Sequence, residues 1–350
     1  MRLGSETMRG GVARFTALAL VVPLLAVSGP AMIGGAQDAT PAASPVAFAP
    51  DAAAGLTFGL IQKSGDQEYF VDEATGFREI IEGAGGEVIV QDIQLNADAA
   101  INAMDTMIGS GVAGIAIVVP DQQIGPAVID KAREANIPLI ALDDGIMDSA
   151  GESAPFAGFD GNQMGTAVGE KAVELWQASG WTPEEVGALA IEVPTLTVCM
   201  DRTNASRQLL IDAGFPAAQI SSVPYDGTAP AAIDAAATTI TANPQITKWV
   251  VFACNDEGVQ GGLRALESGG VTAENVIGVG LGAYLACPEW KSGNPTGFKA
   301  ALFINGLDVG RSGATALIAA ATQGTPLPAN TIAPTTMTTP DDYAAAGLSC

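Results

Sequence analysis

From Leu56 onward the chain alternates short β-branched apolar runs with longer Ala-rich segments of helical period, and this constrains the fold more than any other feature. Strands joined by helical crossovers run parallel and are covered on both faces, so their interiors read as near-continuous apolar runs rather than alternating ones. A first set of such runs is "LTFGLIQK", "EVIVQD", "GIAIVVP", "PLIALDD" and "FAGFD". A second set is "VGALAIEV", "ISSVPYD", "KWVVFACND", "VIGVGLG" and "FKAALFIN", making two sets of five. The segments "AAINAMDTMI", Ala99 to Ile108, and "AAIDAAATTI", Ala231 to Ile240, agree at six of ten positions, and each precedes a strand that ends in a polar step. Repeated order and spacing of the flanking strands reads as duplication. The expected fold class is α/β: two doubly wound, Rossmann-like lobes with parallel sheets. Ligands of open α/β sheets sit beyond the carboxyl ends of the strands, so two such lobes define a cleft whose walls are strand C-termini.

Composition limits what that cleft can do. Thirty-eight Asp and Glu against fifteen Lys and Arg leave a net charge of −23 over 350 residues. Such a field repels phosphate backbones and anionic membrane surfaces, so nucleic acid is not an expected partner. Histidine is absent, which removes Ser-His-Asp and Cys-His constellations and His-based zinc sites together. "GVGLGAY" fails the spacing of a dinucleotide-binding loop, so no cofactor is expected, and no CxxC spacing supports a metal site. Carboxylate chemistry remains. Four cysteines, Cys199, Cys254, Cys287 and Cys350, allow three disulfide connectivities, and buried free thiols are an equal alternative.

Met1 to Ser28 carries the parts of an export signal, with Arg2, Arg9 and Arg14 ahead of "FTALALVVPLLAVS" and small residues closing at Ala36. Residues 1–36 are therefore expected to be a signal peptide and residues 37–55, rich in Ala and Pro, a disordered linker. Export would place the mature protein in the periplasm or on the extracellular face of the envelope.

Several strand ends carry polar groups in patterns that suit a polyhydroxylated ligand. After the first strand, "KSGDQEYF" offers Lys63 as donor and Tyr69 with Phe70 as flat apolar faces. "PLIALDDGI" ends a buried run on two carboxylates, Asp143 and Asp144. Neighbours on an extended strand point to opposite sides, which argues against an acid–nucleophile pair across one glycosidic bond. Past the strand end the backbone turns, and both can then accept hydrogen bonds from hydroxyls; a helix cap or a solvated strand end is the alternative. "MDRTNAS" is expected to open a helix with Arg202 in its first turn, where the dipole disfavours it unless its planar fork has a use. In "ACNDEG", Asn255 can donate and accept at once, and Asp256 is expected to cap the next helix.

Taken with "AINAMDTMIGSGVAGIAIVVPD", "IGPAVIDKAREANIPLIALDD", "DAGFPAAQI", "FACNDEGVQGGLRA" and "IGVGLGA", the chain from Leu56 to Tyr343 resembles the periplasmic sugar-binding proteins of ABC importers, and most closely their arabinose-binding branch. The resemblance implies that Lys63, Asp143, Asp144, Leu196, Arg202 and Asn255 contact a sugar, with Tyr69 and Phe70 as an aromatic pair. Phe159 falls where that branch has a methionine against the sugar, and Gln67 where it has a glutamate. Val118 replaces a cysteine, and Gly282 and Leu285 replace an Asn and an Asp, so the epimer is left open while a pentose or related monosaccharide stays the expected ligand. The resemblance also implies chain crossings near Asp160, Ile304 and Pro334, with one lobe from residues 56–160 plus 305–334 and the other from 161–304 plus 335–350. The function implied is capture of a monosaccharide, L-arabinose or a related pentose or hexose, by hinge closure, and its delivery by a monomer to a membrane ABC permease. A sensing role toward a membrane receptor shares the same pocket. An exported carbohydrate-active enzyme is the remaining alternative.

Overall fold

The computed structural model describes residues 48–348 and 350; the expected export signal and residues 37–47 of the expected linker lie outside them. The described end of that linker is built into the fold. Ala53 is fully buried and its N–H donates to Ala84 O at 2.8 Å. Alanine's small side chain fits there although the segment lacks the apolar area to order itself.

In chain order the first ten elements are β1 (Thr57–Gln62), α1 (Glu68–Gly83), β2 (Glu87–Asp92), α2 (Ala97–Gly109), β3 (Ile115–Ile117), α3 (Gly125–Glu134), β4 (Leu139–Leu142), β5 (Phe156–Gly158), α4 (Gly161–Ser179) and β6 (Val186–Glu192). There follow α5 (Thr197–Asp212), β7 (Ile220–Pro224), α6 (Ala229–Ala242), β8 (Lys248–Ala253), α7 (Asp256–Ser268), β9 (Val276–Gly282), α8 (Ala286–Ser292) and β10 (Phe298–Ile304). The chain ends with α9 (Gly306–Gln323), β11 (Thr331–Ile332) and β12 (Thr335–Thr338).

Two six-stranded sheets result, ordered β11-β5-β4-β3-β1-β2 and β12-β10-β9-β8-β6-β7. Counted within its own lobe, each runs 5-4-3-1-2, so the duplication read from the Ala-rich helices extends to topology. The interior strands are buried throughout, as in β6 and β9, because helices cover both faces. The edge strands β2 and β7 are partly exposed and carry the polar residues. The sixth strand of each sheet was not anticipated. β11 joins β5 in parallel and β12 joins β10 antiparallel, and both come from one Thr-rich C-terminal segment.

The chain passes between sheets after β5, after β10 and between β11 and β12. The first helix after each long crossing clamps a helix that lines the cleft. In one lobe α9 lies on α1 so closely that a Cβ on Gly310 would fall 1.9 Å from Glu73 O. In the other, α4 lies on α5, and a Cβ on Gly165 would fall 2.2 Å from Arg202 O. Glycine is required at both positions, and the backbones carrying Tyr69 and Arg202 are held rigidly as a result.

Candidate functional site

The two lobes enclose a cavity of about 590 Å³, within the range of small-molecule sites. Lys63 and Gln67 reach it from the turn after β1, and Tyr69 and Phe70 from the first turn of α1. Asp143 and Asp144 come from the end of β4, Leu196 and Arg202 from the start and second turn of α5, and Asn255 from the turn after β8. Nine of the ten expected side chains thus line one space. Phe159 does not. It is 3% exposed, belongs to the apolar core and borders a neighbouring cavity that also reaches Asp143. Packing a whole ring into the core removes more apolar surface from water than lining a wet pocket would.

The backbone explains how adjacent carboxylates share the cavity. Asp143 has φ +55°, and Asp144 N donates to Leu142 O at 2.5 Å, which closes a γ-turn directly after the strand. A positive φ at a non-glycine residue costs of order 1–3 kcal/mol and is expected where function requires it. Tyr69 OH donates to Asp143 Oδ1 at 2.6 Å, and Lys63 Nζ donates to Asp144 Oδ2 at 2.7 Å. The Lys63 ammonium also stands 5.7 Å from the centre of the Phe70 ring. Asp143 Oδ2 is buried without a partner. Burial above all, and the neighbouring Asp144 charge, push the Asp143 carboxyl up to about 7, although the Tyr69 hydroxyl works against the rise. Glu73, on the buried face of α1, is driven well above the carboxylate range by burial, then by Asp143 and Asp144.

On the opposite wall Arg202 is 9% exposed and donates from Nη1 to Cys254 O at 2.8 Å, while its Nε is buried and unpartnered. It feels Asp144 and Asp143 across the cavity, yet among the described residues it makes no ion pair with either. The sequence placed Arg202 in the first turn of its helix. The helix starts earlier, at Thr197, so the dipole conflict disappears. Asp256 was expected to cap α7, but Asn255 does so, accepting from Gly258 N at 3.0 Å. Asn255 Oδ1 also accepts from Tyr225 OH at 2.5 Å and its amide donates to Gly227 O at 3.3 Å, which leaves one N–H for a ligand. Asp256 is buried, accepts from Leu285 N at 2.9 Å, and is pushed up to about 6 by burial.

Contacts between the lobes close the cleft. Gln67 Nε2 donates to Gly227 O at 3.2 Å, and Tyr284 OH donates to Asp72 Oδ2 at 3.0 Å. Gln122 bridges the lobes, donating to Gly145 O and accepting from Thr197 N, both at 2.5 Å. Tyr69 meets Tyr284 edge to face at 5.9 Å, so an aromatic wall continues from one lobe to the other. Tyr225, Glu257 and Tyr284 line the cavity and were not anticipated. Tyr225 lies just past β7 and Tyr284 just past β9, so the strand-end rule reaches both when applied to every strand. Glu257 reads in sequence as an ordinary first-turn acid; burial, then Asp256, pushes it up to about 7. Gly282 and Leu285, where polar residues were expected to be missing, also face the cavity.

Comparison with known proteins agrees with this arrangement. Residues 58–325 match the model of a periplasmic binding protein domain. The ABC transporter L-arabinose-binding periplasmic protein of Azospirillum brasilense is 30% identical over 281 residues, 79% of this chain and 84% of that protein. The L-arabinose-binding periplasmic protein of Escherichia coli is 30% identical over 251 residues, 71% of this chain and 76% of its own. A solute-binding protein of Actinobacillus succinogenes, solved with D-allose, superposes with a TM-score of 0.68 at 20% identity, over 83% of this chain and 99% of that one. Sheet order, cleft and matched length lead to one assignment: the chain belongs to the periplasmic binding protein family.

Proposed function

We propose that the protein captures a monosaccharide between its lobes and delivers it to an ABC permease in the membrane, acting as a monomer outside the cytoplasm. The observation that carries this reading is a carboxylate, Asp143, and a guanidinium, Arg202, lining opposite walls of one cavity with no ion pair between them among the described residues. One side chain accepts and the other donates, and a sugar hydroxyl needs both at once. Lys63, Gln67, Asp144 and Asn255 supply further polar contacts, and Tyr69, Phe70 and Leu196 supply surface for the C–H faces. Charge-assisted hydrogen bonds are worth roughly 1.5–3 kcal/mol each net, so four or five support micromolar binding after ordering costs. No bond is made or broken.

The relatives from Azospirillum brasilense and Escherichia coli support L-arabinose or a related pentose or hexose as ligand. Gly282 and Leu285 withdraw two polar contacts from the second lobe, which favours a different epimer. The test is a thermal-shift screen of pentoses and hexoses on the purified chain. A saturating ligand at about 100 times its Kd adds about 2.7 kcal/mol to stability. Absence of any shift across the panel would refute sugar capture.

A further inference from the structure

The cavity shares a wall with a disulfide. Cys199 and Cys254 are bonded across a sequence separation of 55 residues, both line the cavity, and they are 1% and 4% exposed. Cys199 lies in the first turn of α5, three positions before Arg202 and on the same helix face. Cys254 directly precedes Asn255, and its carbonyl is the acceptor that orients Arg202, with its Sγ 3.8 Å from the same Nη1. The S–S bond therefore joins the two segments that carry the second lobe's ligand-facing groups. Gln122 accepts from Thr197 N and α4 packs closely on α5, but neither ties α5 to the β8–α7 turn. Among the described residues that junction is held by the S–S bond and by the Arg202 Nη1 to Cys254 O hydrogen bond.

We propose that ligand binding is conditional on oxidation of this cysteine pair, which acts as the positioning element for Arg202 and Asn255. The proposal rests on the sugar-capture reading. The pair closes by thiol–disulfide exchange with an oxidised dithiol protein. One thiolate attacks the partner's disulfide to give a mixed disulfide, the second displaces it, and the partner leaves as a dithiol carrying the two electrons and two protons. Before oxidation the junction of α5 with the β8–α7 turn rests on the Arg202 Nη1 to Cys254 O bond without a covalent tie, and Arg202 and Asn255 are less sharply fixed opposite Asp143 and Asp144. The consequence is a chain that captures ligand only in an oxidising compartment. Ligand held earlier would stabilise the folded form and oppose its passage as an unfolded chain.

The second disulfide supplies the control. Cys287–Cys350 closes a sequence separation of 63 residues, so chain entropy predicts nearly the same stabilisation as the first, but neither cysteine lines the cavity. The experiment compares wild type, Cys199→Ser/Cys254→Ser and Cys287→Ser/Cys350→Ser by calorimetric titration with L-arabinose, D-xylose, D-ribose, D-galactose and D-glucose. Both variants should melt earlier by similar amounts. The first should bind at least about tenfold more weakly, the second within about twofold of wild type. Equal affinities in the two variants, or equal losses, overturn the proposal. Two further measurements hold even if the first variant folds poorly. Tris(2-carboxyethyl)phosphine titration of the unmutated chain, with each reduced pair counted by mass spectrometry, should show binding competence tracking Cys199–Cys254 and not Cys287–Cys350. Amide exchange without ligand should accelerate at 196–202 and 254–258 when that pair opens, and unchanged exchange there refutes the positioning role. Failure of oxidised wild type to bind any sugar removes the sugar reading, and this proposal with it.

Discussion

Replacing Asp143 with asparagine should move stability and affinity in opposite directions. Asn keeps an oxygen for Tyr69 OH, now 2.6 Å from Oδ1, so the local hydrogen bond survives. It exchanges the unpartnered acceptor Oδ2 for an amide donor, removing a charge-assisted bond to a ligand hydroxyl worth roughly 1.5–3 kcal/mol. Dissociation constants should rise by about 10- to 100-fold. The unliganded fold should gain at alkaline pH. The folded-state carboxyl titrates at about 7 against an ordinary 3.8, so the native state holds more protons between those values. Its contribution to stability is complete below about 4 and is lost as pH rises through about 7. The shift corresponds to roughly 4 kcal/mol at 1.36 kcal/mol per pH unit. Opening of the empty cleft rehydrates the carboxylate, so about 1–2 kcal/mol is the gain expected for Asp143→Asn at pH 8, with none at pH 4. Urea unfolding at both pH values, without and with sugar, reads the two effects. Lower stability of the variant at pH 8, or unchanged affinity, would show that the buried carboxylate is not the strained acceptor described.

Other consequences are narrower. Arg202→Lys keeps the charge but loses the fork that holds Cys254 O and presents Nε, so calorimetry should show affinity reduced by about tenfold or more, whereas a loss under twofold would make Arg202 a bystander. Tyr284→Phe removes the bond to Asp72 between the lobes; the sugar should dissociate several-fold faster in stopped-flow measurements while on-rates hold, at a cost of about 1 kcal/mol. Gly310→Ala forces a Cβ to within 1.9 Å of Glu73 O. It should lower stability by about 2 kcal/mol or more in chemical unfolding, and full stability would mean that α9 can lift from α1 at little cost.

The sheet and its site were readable to different depths. Apolar runs bounded by polar steps located ten strands within a few residues, because burial on both faces leaves few other sequences possible. β11 and β12 were invisible, since two and four Thr-rich residues become strands only through the partner strands that receive them. Strand-end logic gave position but not direction. It found Asp143 and Arg202 in the cavity and could not show that the Phe159 ring turns into the core. The cysteine pairing was equally out of reach. Cys199 and Cys254 meet because a helix start and a strand end converge at one wall, a tertiary fact that spacing does not encode.

Closure of such a molecule is decided by small differences, and the structure shows where they arise. The described bonds between lobes at Gln67, Tyr284 and Gln122 are few and polar, each worth about 0.5–1.5 kcal/mol net. Against them stands the cost of removing Asp143, Asp144 and Arg202 from water as the walls approach. Lys63 and Tyr69 relieve the carboxylates only in part, and Arg202 keeps a vacant N–H. Empty, the closed form holds opposite charges that face each other without touching. With a sugar held as proposed, hydroxyls would bridge these side chains and turn the penalty into binding energy. A ligand that satisfies Asp143 and Arg202 therefore differs in affinity for closed and open forms by several kcal/mol, which is what a shift from mostly open to mostly closed requires. On the proposed reading, a ligand lacking a hydroxyl between those two side chains would bind one wall and leave the cleft open, so specificity and closure would rest on the same pair of side chains.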